Sequence, residues 1–327
     1  MSVFTLDVLE KELTGAKKVA IAGHVRPDGD CIGSCSAMYQ YLKLYGNELG
    51  MEQVDVYLET FGSEFKIVPG VDDIRHSAEY EETYDVFISL DCSSIDRLGD
   101  FIRYFESAKR TICIDHHITN DNFADVNHVI PDVSSTCEVI YDLMSYDRIT
   151  RDIATSLYLG IVHDTGMFRH SSTSDKTMKI AGSLISKGID FTRLIDETFI
   201  QKTHPQMKIM GQALVDSRLL LDGRIVVSFI GTDMMKTYDV SSTDLDGIVD
   251  QLRMVKGIEV AVFIYENGNG TIKISMRSNG IVDVSTIAHK FGGGGHVKAA
   301  GFTFEGSVNE AIEKVVPYIE EQLSKAK

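Results

Sequence analysis

The first half of the chain alternates two hydrophobic periods, and that alternation restricts the fold more than any other feature. "KKVAIAG" (17–23), "VDVYLE" (54–59), "YDVFISL" (84–90) and "RTICI" (110–114) are short, nearly unbroken apolar runs of strand length. "CIGSCSAMYQYLKLYG" (31–46), "SSTCEVIYDLMSY" (134–146) and "RDIATSLYLGIVHD" (151–164) instead repeat their apolar residues near every 3.6 positions, as helices do. Strands buried on both faces and joined through helices form a doubly wound α/β domain with a mainly parallel sheet. A second, smaller α/β unit is expected from residue 206, with strands at "RIVVSFIG", "IEVAVFIYE" and "TIKISMRS" in a mixed sheet. Helices are expected over "DLDGIVDQLRMV" and "DVSTIAHKF", and a charged helix after residue 307. Gly188 and Pro205 punctuate a partly helical linker, so the expected division is 1–187, linker 188–205, and 206–327.

Histidine and aspartate collect where these elements stop. His24, Asp28 and Asp30 follow the first strand, Asp91 the third, and Asp115, His116 and His117 the fourth; Asp164 ends an apolar helix. In an open α/β sheet the loops at the carboxyl ends of the strands converge on one crevice, so residues distant in sequence meet there. A lone Asp at a strand end is ordinarily a cap or turn residue. Several such clusters, all at element ends, are far harder to explain that way. Carboxylates with a minority of imidazoles suit Mn2+, Mg2+ or a related hard cation, and no thiolate set points to structural zinc. Paired cations need a bridging carboxylate to activate water and hold phosphoryl oxygens; Asp91, alone after its strand, is the natural bridge. Pro27 and Gly29 argue against a helix running through the first cluster.

The second unit contains "KFGGGGHVKAAG" (290–301). Gly292, Gly293, Gly294 and Gly295 are entropically costly in sequence, and the usual return is close approach of backbone N–H groups to an anion. A flexible turn is the plain alternative. His296 and Lys298 follow at once, and Arg277 ends a strand, so together they form an expected phosphate or nucleotide grip. The chain carries 48 acidic against 32 basic residues, a net charge of −16, which opposes nonspecific tracking along long nucleic acid. A phosphate substrate must therefore be attracted locally. No apolar run approaches the ~18 residues of a membrane span, the N-terminal stretch lacks a secretory core, and the five scattered cysteines suit a reduced cytoplasm.

"HVRPDGDCIGS", "DCSSIDRLGD", "IDHHITN", "IVHDTGMFRHSS" and "FGGGGHVKAAG", in this order, resemble the DHH phosphoesterases, and among them the small two-domain NrnA type, a bifunctional oligoribonuclease and pAp phosphatase. The resemblance implies an N-terminal DHH domain, a C-terminal DHH-associated domain and an active site in the cleft between them. It implies two divalent ions, Mn2+ foremost with Mg2+ or Co2+ as alternatives. One would be held by His24, Asp28 and Asp91, the other by Asp30, Asp91, His116 and Asp164. Asp115 would orient ligands, and His117 would touch the scissile phosphate. Arg277, the glycine run, His296 and Lys298 would bind the substrate, with Arg97 and Arg169 as weaker candidates; His163 and His170 are read as neighbours, and Cys31 as a small residue at a helix start.

The expected activity is hydrolysis of very short RNA to mononucleotides and of pAp to AMP. Hydrolysis of a cyclic or linear dinucleotide is the second reading, and a catalytically silent nucleotide sensor the third. A family II pyrophosphatase normally carries a basic Ser-Arg-Lys-Lys-Gln-type motif where this chain has its glycines. A long-strand exonuclease would need more chain. Partners are therefore short oligonucleotides, pAp or dinucleotides, with no membrane and no long nucleic acid; a homodimer is an allowed assembly.

Overall fold

The computed structural model describes residues 5–79, 81–267 and 270–325. It divides into two compact units, Met1–Gln201 and Lys202–Lys327. The strands of the first are β1 (Lys18–Ala22), β2 (Gln53–Tyr57), β3 (Val86–Leu90), β4 (Arg110–Asp115) and β5 (Val126–Val129). They form one sheet of order β2-β1-β3-β4-β5, parallel throughout. Val19, Ile21, Ile88, Ile112 and Ile114 are buried on one face, and Ala20, Ala22 and Phe87 on the other; the uninterrupted apolar runs follow from this double burial. The helices are α1 (Leu6–Leu13), α2 (Gly29–Tyr45), α3 (Ile102–Ser107), α4 (Thr136–Asp142), α5 (Arg151–Asp164), α6 (Asp175–Ile185) and α7 (Phe191–Ile195). In this strand order the chain reverses direction across the sheet between β1 and β3, which is where an open α/β sheet opens a crevice at its carboxyl edge.

Two expectations for this unit need revision. A helix does enter the first His/Asp cluster: α2 starts at Gly29, because the Asp28 side chain caps it by accepting from the Asp30 and Cys31 amides, both at 3.1 Å. Pro27 lies outside that helix and so does not obstruct it. The edge strand β5 carried no readable signal, since its residues are all half-buried and two of its four are Asn127 and His128. Within 188–205, α7 and a π-helical turn (Asp196–Ile200) belong to the first unit, where Leu194 is 2% exposed.

The second unit contains α8 (His204–Val215), β6 (Arg218–Leu220), β7 (Ile225–Ile230), α9 (Thr232–Tyr238), α10 (Ile248–Leu252), β8 (Val260–Glu266), β9 (Ile272–Ser278), α11 (Val284–Lys290), β10 (Gly294–His296), β11 (Ala299–Phe304) and α12 (Val308–Lys325). Its sheet runs β10-β11-β9-β8-β7-β6, parallel between β7 and β8 and antiparallel elsewhere. The stretch "DLDGIVDQLRMV" is not one helix. Gly247, at φ 84, separates a 3₁₀ turn (Ser242–Leu245) from α10. No helix among the described residues is long and apolar enough to cross a membrane.

Candidate metal centre

His24 follows β1 and is 5% exposed. Its Nδ1 lies 2.9 Å from the Val25 carbonyl. A carbonyl only accepts, so Nδ1 carries a proton and neutral His24 presents the lone pair of Nε2. That Nε2 lies 3.5 Å from Asp91 Oδ2 and 3.7 Å from Asp28 Oδ2. The Asp28 Oδ1 atom is occupied by the helix cap, which leaves Oδ2 for His24.

Asp91 adopts a left-handed backbone, φ 55, directly after β3, and is 2% exposed. Such a conformation is uncommon for a residue with a side chain, and here it turns the carboxylate so that each oxygen meets a different imidazole. While Oδ2 faces His24, Oδ1 lies 3.7 Å from His116 Nε2. The same His116 atom lies 3.0 Å from Asp164 Oδ2 at the end of α5 and 4.0 Å from Asp30 Oδ2. Asp30, fully buried, accepts from the amides of Thr136 at 2.6 Å and Cys137 at 3.0 Å. Thr136 Oγ1 donates to Asp91 Oδ1 at 2.9 Å.

Behind this group, Asp115 Oδ1 accepts from His117 Nδ1 and from the His116 amide, each at 2.8 Å, and Oδ2 accepts from Asn120 at 2.6 Å. Asn120 was not picked out from sequence. Its signal was available, because it closes the same "IDHHITN" loop.

So many buried carboxylates demand positive charge. Burial, reinforced by the charges of Asp91 and Asp164, pushes the Asp30 carboxyl well above its ordinary range, and burial raises Asp164 as well. Burial disfavours a charged His116, but the Asp164 hydrogen bond and the charges of Asp30, Asp164 and Asp91 outweigh it and lift the imidazole to about 10. Burial opposes ionisation of Asp115 too, yet His117 and Asn120 hold it below the usual value. In the absence of metal, protons offset the charge of the cluster; bound divalent cations would do so more completely. Oxygen-rich donors with imidazole fit hard divalent cations. Among the described residues, the sets with donor atoms within 4.8 Å are His24/Cys31/Asp91, Asp91/His116/His117 and Asp30/His116/Asp164. Cys31 and His117 thus enter sets in which the sequence reading did not place them.

The remaining residues separate clearly. His163 Nε2 meets Thr198 Oγ1 at 3.0 Å, and that hydroxyl already donates to Leu194 O, so Nε2 is protonated. His170 Nδ1 contacts the Asp164 carbonyl at 3.1 Å. Half-buried Arg97 adjoins His24 through its carbonyl, which accepts from the Val25 amide at 2.7 Å. Arg169 is exposed in the turn after α5 and forms no ion pair among the described residues.

In the second unit, Arg277 lies opposite Ala299 in the β9–β11 register, and the Ser278 amide donates to the Lys298 carbonyl, so Arg277 and the hairpin are adjacent. Arg277 Nε also lies 3.2 Å from Asp250 Oδ1, an oxygen it shares with Arg253 at 3.1 Å; neither Asp250 nor Arg253 was singled out in the sequence. His296 and Lys298 are exposed on the β10–β11 hairpin. Hairpin geometry itself requires three of the four glycines. Gly292 has φ 75, and a Cβ on Gly293 or Gly295 would lie 2.3 Å from Gly301 O or 2.4 Å from Ala299 O.

Residues 18–161 match the DHH family, N-terminal domain, and residues 222–325 match the DHHA1 domain. The chain belongs to the DHH family, which comprises phosphoesterases. It is 32% identical to the bifunctional oligoribonuclease and PAP phosphatase NrnA of Thermus thermophilus, across 94% of this chain and 91% of that one. Against the protein of the same name in Bacillus subtilis, identity is 28% over 85% and 86% of the two chains. The crystal structure of an exopolyphosphatase-related protein from Bacteroides fragilis superposes with a TM-score of 0.88 at 28% identity, covering 97% of this chain and 95% of that one.

Proposed function

We propose that this chain is a divalent-cation-dependent phosphoesterase of the cytoplasm, with Mn2+ its expected ion, that releases mononucleotides one at a time from very short RNA and converts pAp to AMP. The observation that carries this reading is the convergence on Asp91 of carboxylates and imidazoles from the ends of β1, β3, β4 and α5. The names of relatives aligned over most of the chain supply the substrate class. Five buried, free cysteines accord with a reducing compartment.

In this reading His24, Asp28 and Asp91 hold one ion, and Asp30, Asp91, His116 and Asp164 hold the other. When bound, such ions supply Lewis acidity and lower the pKa of water at the reacting phosphate. His117 donates to the scissile phosphate. In the metal-free site burial opposes its protonation, but the Asp115 hydrogen bond and the charge of Asp91 raise its pKa above the ordinary 6.5. With Nδ1–H committed to Asp115, Nε2 is the atom left to face the phosphate, and in the protonated ring it stabilises charge developing on a phosphate oxygen. Arg277 binds a terminal phosphate through the guanidinium N–H groups that Asp250 does not occupy; His296, Lys298 and the glycine hairpin assist.

The test is a turnover panel with Mn2+ comparing an RNA dinucleotide, pAp and a cyclic dinucleotide, repeated with chelator. Chelator-sensitive hydrolysis of the first two is expected. Preference for the cyclic compound moves the assignment to a cyclic-dinucleotide phosphodiesterase, and binding without any turnover makes the protein a sensor.

A further inference from the structure

We infer that Thr136 is a positioning residue of the metal centre, setting the shared carboxylate Asp91 in register with Asp30. This rests on the two-ion reading above and extends it to a residue outside every His/Asp cluster. Thr136 opens α4 and is fully buried. Its amide donates to Asp30 Oδ2 at 2.6 Å, and its hydroxyl to Asp91 Oδ1 at 2.9 Å. One residue therefore bridges two carboxylates that lie 61 positions apart on different elements. The neighbouring Cys137 amide holds the other Asp30 oxygen at 3.0 Å, so Asp30 cannot pivot without breaking a bond to this helix.

Asp91 depends more on the hydroxyl. The Cys31 thiol lies within 4.8 Å of it, and the imidazoles of His24, His116 and His117 stand at 3.5, 3.7 and 3.6 Å. These imidazoles are themselves proposed ligands or a phosphate contact. The Thr136 hydroxyl stands on a backbone already pinned by Asp30, and it fixes which oxygen turns toward His116 and which toward His24. The amide bonds belong to the backbone and survive substitution; the hydroxyl does not. That separates the two contributions experimentally. Partners that orient metal ligands in this way typically contribute about 10- to 100-fold in metal affinity.

The experiment is Mn2+ binding by full-length protein, followed by calorimetry and by the EPR signal of free Mn2+, with melting temperature recorded before metal is added. Thr136→Val keeps the shape and removes the donor; Thr136→Ser restores it. Thr136→Val should weaken binding of at least one ion roughly 10- to 100-fold, while Thr136→Ser binds like wild type. Thr136→Ala removes the same hydroxyl and replaces the valine variant if that fails to fold. Thr136→Val or Thr136→Ala binding Mn2+ like wild type would overturn the assignment, as would a serine variant as impaired as valine. A fall in metal-free melting temperature with unchanged Mn2+ affinity would also overturn it, by assigning Thr136 to the fold alone. Wild type that binds no divalent cation overturns the two-ion reading together with this one, so the two failures are distinguishable.

Discussion

Gly160 lies in α5 against the Asp30 carboxylate, and replacing it with alanine tests how tightly that contact is built. A Cβ there would stand 2.3 Å from Cys137 Sγ, 2.4 Å from Asp30 Oδ1 and 3.0 Å from Cys137 Cβ. Relief requires either that α5 move off α4 or that Asp30 swing away from the Cys137 amide. Overpacking in a filled interior costs about 1–3 kcal/mol, and losing a hydrogen bond to a charged group costs about 1.5–3 kcal/mol. Alanine in a helix interior returns about 0.5–1 kcal/mol relative to glycine. By either route the balance is a destabilisation of up to about 2.5 kcal/mol, or up to roughly 10 °C in Tm for a unit of this size. Mn2+ affinity should fall at least about tenfold, because Asp30 is a proposed ligand. The assay is thermal melting with and without Mn2+ beside a Gly182→Ala control. Gly182 lies in α6, where an added Cβ would meet nothing within 4 Å, so the control should gain the ordinary helix increment. A Gly160→Ala protein that melts at or above wild type and keeps its Mn2+ affinity refutes the reasoning, since α5 would then have room to slide.

His117→Ala should retain its ions and lose about 10²- to 10³-fold in kcat at saturating Mn2+, the usual loss for a transition-state donor; loss of metal together with rate would make His117 a ligand. For Arg277→Ala, kcat/KM for pAp and RNA dinucleotides should drop roughly 10- to 100-fold, with Asp250 left paired to Arg253 alone. Hydrolysis of bis-p-nitrophenyl phosphate, which lacks a terminal phosphate, should change little, and equal losses on both substrate types would assign Arg277 to the fold. The pH dependence follows from His116, whose pKa is raised from 6.5 to about 10 by Asp164 and its acidic neighbours against burial. A raised pKa contributes stability that is fully present below 6.5 and lost as pH rises through about 10. Metal-free protein should lose that contribution on alkalinisation, and Mn2+ should raise Tm more at pH 8 than at pH 6 because the proton it displaces from His116 is released at lower proton activity. A Mn2+ increment independent of pH would refute this.

Much of the architecture and of the chemistry is written locally. The parallel strands were legible because burial on both faces leaves an unbroken apolar run, and the candidate ligands because His and Asp have little reason to gather at successive strand ends unless something is bound there. β5 was not legible, because a half-buried edge strand tolerates Asn127 and His128 and loses the pattern. The start of α2 depended on a cap, a single side-chain contact that composition does not weigh. The glycine run read as an anion cradle, whereas the hairpin packing of Gly293 and Gly295 already requires glycine. Sequence alone therefore determined the α/β class, most of the order of the elements and the candidate side chains for binding cations. Only the tertiary structure decided which Asp91 oxygen faces which imidazole, that Thr136 spans Asp30 and Asp91, and that Gly160 makes room for Asp30. Periodicity and local composition record what each segment must bury, but those contacts join residues brought together by the winding of the sheet, and a contact between distant segments leaves no mark on the spacing of either.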